Sequence, residues 1–425
     1  MTAGASQSPK QAPGARRAVR RLAGAQEAGL LLVITLMVLA LTFFGGTKTV
    51  YKPVVISPGA TIQIFDADGV SHEPGTLPGR LIARIVVNGP DGSVQGYDAP
   101  LRYTETSGTP SVFVQDEVSR FLEKDNITLV LKDASFFAVM AVGMTAVIIL
   151  AGIDLSVGSI FAFAAIVGAL VLNRMGSDLS LSLAGLNVTG LVAVLVGLGV
   201  CVGIGALCGA ANGVMTVGLR VHPFVITLGM MAALRGLTII IPQAVTGEQS
   251  VSGFPPGFQA GFFKREILEV HPVPIVIMAV VAVVGWFILS RTVLGRRVYA
   301  IGGNETAARY AGIPVGRVKI IVYTIMGALA GLSACMAIGY LGAAETSAGT
   351  AYELEVIAAA VIGGASLMGG RGSALGAVLG AVVIKLIGNS MIIFDIDQSW
   401  NQVVMGGAIV VAVVIDQTKT RLSAG

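Results

Sequence analysis

Apolar runs of about 20 residues, most of them separated by short polar stretches, recur from residue 28 to residue 415. A helix needs roughly 20 apolar residues to cross the hydrocarbon core, because lipid offers no partner to backbone N–H and C=O groups. On that measure about ten spans are expected, at 28–46, 128–151, 155–173, 189–216, 223–242, 272–290, 317–341, 353–368, 373–394 and 399–415. The second and third run almost together through residues 152–158, which predicts a tight hairpin or a broken helix whose ends stay at or within the membrane. With 54% hydrophobic and only 12% charged residues, a soluble domain is excluded. The 56 glycines lie largely in the apolar segments, where they let helix backbones approach, so packed helices are favoured over a barrel. The fold class read from the sequence is an all-α polytopic membrane protein with broken or re-entrant segments.

Lys and Arg accumulate in the short cytoplasmic loops of membrane proteins. Ten spans put both termini on one side, and that side receives Arg16, Arg17, Arg20 and Arg21, Arg220, the cluster Arg291, Arg296, Arg297, Arg309, Arg317 and Lys319, then Arg371, Lys419 and Arg421. The opposite short loops carry little beyond Arg174, Lys264 and Arg265, so both termini are expected in the cytoplasm. The first apolar run has no small-residue cleavage site after it and reads as a retained span. The expected organisation is a cytoplasmic tail at 1–27, the first span, an extracytoplasmic insertion at 47–124, a transmembrane core at 125–416 and a cytoplasmic tail at 417–425.

Within the insertion, residues 61–65 and 81–87 alternate as strands do, and Asn88, Gly89, Pro90, Asp91 and Gly92 supply turn chemistry, so a small β-rich cap is expected. Val114, Val118, Phe121 and Leu122 fall at helical spacing and predict an amphipathic helix at the membrane surface.

The most specific string is Gly152-Ile153-Asp154-Leu155-Ser156-Val157-Gly158-Ser159, an acid beside a span in a chain whose interior otherwise reads as free of charge. It is followed by Ala210-Ala211-Asn212-Gly213, by Pro223-Phe224-Val225-Ile226-Thr227-Leu228-Gly229-Met230, and by Gly295-Arg296-Arg297-Val298-Tyr299-Ala300-Ile301-Gly302-Gly303-Asn304. Then come Ala311-Gly312-Ile313, Tyr352-Glu353-Leu354 and the glycine runs Gly363-Gly364 and Gly369-Gly370. In this order and spacing the strings resemble the ribose/xylose/galactose-type permease family of ATP-binding-cassette importers. The resemblance covers about 126–422 and the first span; the 47–110 cap has no counterpart in typical members.

The resemblance implies a loop that couples to a motor protein, carried by Gly303, Asn304, Glu305, Ala308 and Gly312. Asn304 is an N-cap residue type and Glu305 an acid for a first turn, so a short helix is expected to begin there. The alternative is a loop that merely turns the chain. The family signature and translocation path are read as Gly152, Asp154, Ser156, Gly158, Asn212, Thr227, Tyr352 and Glu353. Asp154 admits three readings: a helix cap at a broken span, the partner of a buried base, or a member of the path. Asn212, Thr227, Tyr352 and Glu353 could line a sugar path or simply bond helix to helix. The glycine runs are expected to permit a sharp re-entry between the eighth and ninth spans.

No phosphate-binding GxxxxGK[ST] string is present, so the chain is read as a transport subunit and not an enzyme, with no cofactor, metal or catalytic residue of its own. ATP and Mg would be used by a cytoplasmic ATPase with two cassettes. The other implied partners are a second permease, identical or paralogous, an extracytoplasmic sugar-binding protein and the bilayer of a bacterial inner membrane. Nucleic acid is not expected. Cys201, Cys208 and Cys335 read as packing residues, and His72, His222 and His271 are too scattered to form a catalytic cluster. The rivals are a related permease for branched-chain amino acids and an ion-coupled transporter using Asp154 and Glu353.

Overall fold

In the computed structural model, the described residues are 13–54, 60–72, 82–90, 93–98, 101–106, 109–176, 182–183, 186–187, 189–267, 271–408, 410–411 and 414. The chain divides into two compact units, Leu39–Asn126 and the remainder. Helix α1 (Pro13–Phe44) passes from the one into the other, and the expected N-terminal tail is already helical from Pro13.

The smaller unit holds β1 (Thr47–Pro53), β2 (Thr61–Asp66), β3 (Ser71–His72), β4 (Ile82–Asn88), β5 (Val94–Asp98), β6 (Leu101–Thr106) and β7 (Thr109–Ser119). They form two antiparallel sheets of order β3-β2-β4-β5 and β1-β7-β6. Ile64, Ile82, Ile85, Val87 and Val112 close a small core between them. The β-rich character expected for this segment is therefore present, and part of the expected turn, residues 91–92, lies outside the described residues. The amphipathic helix expected from Val114 is not formed. Residues 109–119 are a strand paired with β1 and β6, and helix begins only at Lys124. Val112 and Val114 two positions apart both pack on the sheet core, so the period that matters here is two, and the helical spacing of Val114 and Val118 was coincidental.

The larger unit is helical: α2 (Lys124–Ile149), α3 (Val157–Met175), the short strands β8 (Ser182–Leu183) and β9 (Leu186–Asn187), α4 (Thr189–Leu219), α5 (Pro223–Thr246), β10 (Ser250–Ser252) and one turn, α6 (Pro256–Phe258), that continues as π-helix. Then follow α7 (Pro272–Arg291), α8 (Val293–Gly303), α9 (Glu305–Tyr310), α10 (Val315–Leu341), β11 (Ala343–Glu345), α11 (Tyr352–Ile362) and α12 (Ala374–Ile393). Among the described residues, 8 helices are long and apolar enough to cross a membrane: parts or all of α1, α2, α3, α4, α5, α7, α10 and α12. The protein is a multi-pass membrane protein.

The eighth expected span is a half-helix. α11 has 11 residues, about 16 Å at 1.5 Å per residue, against a hydrocarbon core of about 30 Å. It stops at the first glycine run; Gly364 there, and Gly369 and Gly370 in the second run, take φ of 96°, 85° and 72°, and a side chain would be strained at each. The tenth expected span is helical over 401–408 and then runs partly outside the described residues, as does the expected C-terminal tail.

Helices α4 and α10 approach through glycine. A Cβ on Gly209 would stand 2.1 Å from the Tyr323 carbonyl oxygen, and one on Gly205 2.1 Å from that of Gly327. In lipid, where apolar surface gives no drive for helices to associate, such backbone contact is what holds them.

Candidate functional site

Between α2 and α3 the chain leaves helical geometry at Ala151, whose φ of 57° is left-handed. Asp154 lies in this break with no solvent exposure. Its Oδ1 accepts the Ser156 backbone N–H at 2.9 Å and the Ser156 hydroxyl at 2.6 Å, and its Oδ2 accepts Nδ2 of Asn212 on α4 at 3.4 Å. Asn212 Nδ2 also reaches Ser156 Oγ at 2.8 Å. Ser156, Asn212 and Thr227 are buried with it. The Ile153 carbonyl receives the Tyr323 hydroxyl of α10 at 3.4 Å and Thr227 Oγ1 of α5 at 3.5 Å. Five elements thus meet on one irregular turn. Asn212 stands seven residues before Leu219, so the knot lies about 10 Å along α4 from that end, at membrane depth.

Of the three readings of Asp154, the buried base finds no support: its partners among the described residues are neutral. Its bonds to Ser156 are those of a short turn preceding a helix start, with Ser156 itself at the N-cap of α3. Gly152 leaves room for Tyr323, whose hydroxyl would be 2.7 Å from an added Cβ. Gly158 leaves room for a second chain segment: a Cβ there would be 2.3 Å from the Gly349 carbonyl oxygen and 2.8 Å from Glu353 Oε2.

That second segment is the approach to α11. Ala351, at its N-cap, has a left-handed φ of 64°. Such conformations at non-glycine residues mark places that the surrounding structure over-determines. Arg235, near the middle of α5, donates to the carbonyls of Thr346 at 3.3 Å and Ala348 at 2.7 Å and so fixes the turn before the half-helix. Tyr352 packs its ring 4.5 Å from Phe137 of α2 and 5.3 Å from Phe161 of α3. Tyr352 and Glu353 are partly exposed, unlike the Asp154 knot. Glu355 bonds Lys385 of α12.

The loop between α7 and α10 forms the helices α8 and α9. Asn304 caps α9, its Oδ1 accepting the Ala307 N–H at 2.9 Å, so the short helix starts where the sequence placed it. Glu305 accepts from Arg309 at 2.6 Å and from Lys319 of α10 at 2.7 Å. Burial alone would raise the Glu305 pKa, but the hydrogen bonds from Lys319 and Arg309 outweigh it and hold the carboxyl below the usual glutamate range. Ala308 is buried, Gly303 faces open space, and Gly312 takes a φ of 78° as the chain leaves α9. A cavity of about 150 Å³ lies between this helix and the break, bounded by Glu305, Lys319, His222, Tyr323, Gly152 and Ala151.

Residues 126–413 match the family described as branched-chain amino acid transport system / permease component. The chain belongs to this permease family. The permease is 38% identical over 300 residues to the ribose import permease protein RbsC of Escherichia coli (strain K12), covering 70% of this chain and 88% of that one. It is 40% identical over 297 residues to the D-allose transport system permease protein AlsC of the same strain (70% and 85%). It is 32% identical over 309 residues to the fructose import permease protein FrcC of Rhizobium meliloti (72% and 81%). No solved structure matches it.

The sequence-derived residues of the permease fall into three groups. Gly152, Asp154, Ser156, Asn212 and Thr227 come together at the break; Gly158 joins them to Tyr352 and Glu353; Gly303, Asn304, Glu305, Ala308 and Gly312 form the loop helix and its ends. The interior is not free of charge as the sequence reading held. Arg235 and Lys385 stand near the middle of spans and Glu355 in the half-helix. A single cation inside an apolar run was the available signal, since such residues are costly in lipid and seldom incidental. Tyr323 carried no comparable signal.

Proposed function

We propose that this permease is the transmembrane subunit of an ABC importer that passes a monosaccharide across the bacterial inner membrane. The observation that carries the reading is the junction of the α2–α3 break with the α11 half-helix, where Tyr352 and Glu353 stand partly exposed among otherwise apolar helices. Ring faces and carboxylates at that depth suit a hydroxylated ring and have little use for the side chain of a branched-chain amino acid. The relatives named for ribose, allose and fructose support the same choice.

The sugar is delivered by an extracytoplasmic binding protein, and ATP with Mg is hydrolysed by a two-cassette ATPase chain. A second permease, identical or paralogous, completes the pathway, and both termini lie in the cytoplasm. The ATPase engages α9. Lys319 and Tyr323 are four residues apart and so share a face of α10; through them, movement of Glu305 reaches the Ile153 carbonyl and the break. Alternating access is then a shift between two packings of α10 against the broken spans. The 47–110 cap is assigned to the binding protein.

The experiment is recovery of the permease from its membrane in mild detergent, identification of accompanying chains by mass spectrometry, and vanadate-sensitive sugar uptake after reconstitution. An ATPase and a sugar-binding protein should accompany it. Uptake that is indifferent to vanadate but abolished by an uncoupler would establish the ion-coupled rival instead.

A further inference from the structure

The Glu355–Lys385 pair is unexplained by helix packing alone. Lys385 stands near the middle of α12 and Glu355 in the first turn of α11, so both charges lie deep in the membrane-spanning unit. Two apolar residues would join these helices at lower cost, because each ion must be stripped of water before the pair can form. The Lys385 and Glu355 side chains keep 17% and 14% exposure, whereas Phe137 beside Lys385 is 3% exposed. The Lys385 ammonium sits 3.3 Å from the centroid of the Phe137 ring, and the Tyr352 ring packs on that same phenylalanine. An acceptor and a donor are therefore presented side by side, next to the partly exposed ring of Tyr352.

We propose that Glu355 and Lys385 determine which monosaccharide this permease passes, by reading the configuration of its ring hydroxyls. The carboxylate accepts from one hydroxyl, the ammonium donates to its neighbour, and the partly exposed ring of Tyr352 takes the apolar face of the sugar. A charged partner makes each such bond sensitive to whether a hydroxyl is present and on which face it lies. The inference rests on the monosaccharide reading above.

The test uses the reconstituted complex of permease, ATPase and binding protein, with uptake measured for ribose, its epimers and the matching deoxy sugars. Glu355→Gln and Lys385→Gln should each change the ratio of uptake between sugar pairs by about tenfold or more, the worth of one charge-assisted hydrogen bond. The double variant Glu355→Lys with Lys385→Glu restores a pair of opposite charges. It should recover the amount of assembled complex and still show an altered sugar ratio. The proposal is overturned if the single variants lower uptake of every sugar by one factor and the exchanged pair restores uptake with the ratio unaltered throughout, which is the behaviour of a packing contact. Wild-type complex that takes up none of the sugars would overturn the monosaccharide reading itself. Wild-type uptake with unshifted ratios in the variants would overturn this inference alone.

Discussion

Lys319 of α10 reaches across 2.7 Å to Glu305, the first residue of the loop helix α9. The contact fastens an otherwise exposed helix to a span whose next turn carries Tyr323 and touches the α2–α3 break. Lys319→Met should leave the permease folded, because one surface pair contributes little to stability. Sugar delivered per ATP hydrolysed should drop roughly fivefold or more, the scale of a modest coupling energy. Uptake and hydrolysis measured on the same vesicles separate this from a general loss of activity.

The pH dependence of that contact follows from the depressed Glu305 pKa. A carboxylate whose folded pKa lies below its unfolded value contributes fully above the unfolded value, and the contribution is lost as pH falls through the folded one. Coupling should therefore hold from neutral pH down through the ordinary glutamate range and weaken only in stronger acid. Glu305→Gln should give a lowered ratio without that acid step. A wild-type ratio that falls between pH 7 and 6 would assign the dependence to another group.

Asp154 serves the break through acceptors, since Ser156 N–H, Ser156 Oγ–H and Asn212 Nδ2 all donate to it. Asp154→Asn keeps one acceptor oxygen in place and should retain most of the thermal stability of the detergent-solubilised complex. Asp154→Leu strands buried donors, at a cost of about 1–3 kcal/mol for each one left unpaired. Thermal unfolding of the two variants decides the matter. Equal losses in both would mean that the charge itself is required.

What the sequence disclosed was local. The N-cap at Asn304 and the turn at Asp154 depend on residues within three positions of each other, so their chemistry is readable from the string alone. The half-helix was hidden because Ala358, Ala359, Ala360 and Val361 have the composition of any span, and only the positive φ of Gly364, Gly369 and Gly370 shows where it stops. Arg235 and Lys385 were hidden by averaging, since one cation among some 20 apolar residues scarcely lowers a window's hydropathy. Their partners, the Thr346 and Ala348 carbonyls and Glu355, come from segments brought close only by the fold.

The α4–α10 seam gives a packing prediction with an internal control. Gly209 has no room for a methyl group, as its Cβ would meet the Tyr323 carbonyl oxygen at 2.1 Å, whereas Gly218 on the same helix meets nothing within 4 Å. Gly209→Ala should therefore destabilise the solubilised permease by about 1–3 kcal/mol. Gly218→Ala should be neutral or slightly stabilising, from better helix propensity. Matching unfolding curves for the two would show that the seam yields more readily than its geometry implies.

Arg235 should act by position. Its guanidinium spans from α5 to the Thr346 and Ala348 carbonyls, and among the described residues no other side chain bonds those two oxygens. Removing it leaves two backbone acceptors unpaired and frees the turn that sets the register of Tyr352 and Glu353. Arg235→Ala should thus raise thiol labelling of a cysteine introduced by Thr346→Cys, at a position buried in the intact turn, several-fold over the Arg235 background. Arg235→Lys, which retains one donor, should fall between them. If labelling is unchanged while uptake is lost, Arg235 touches the solute directly and does not act through the turn.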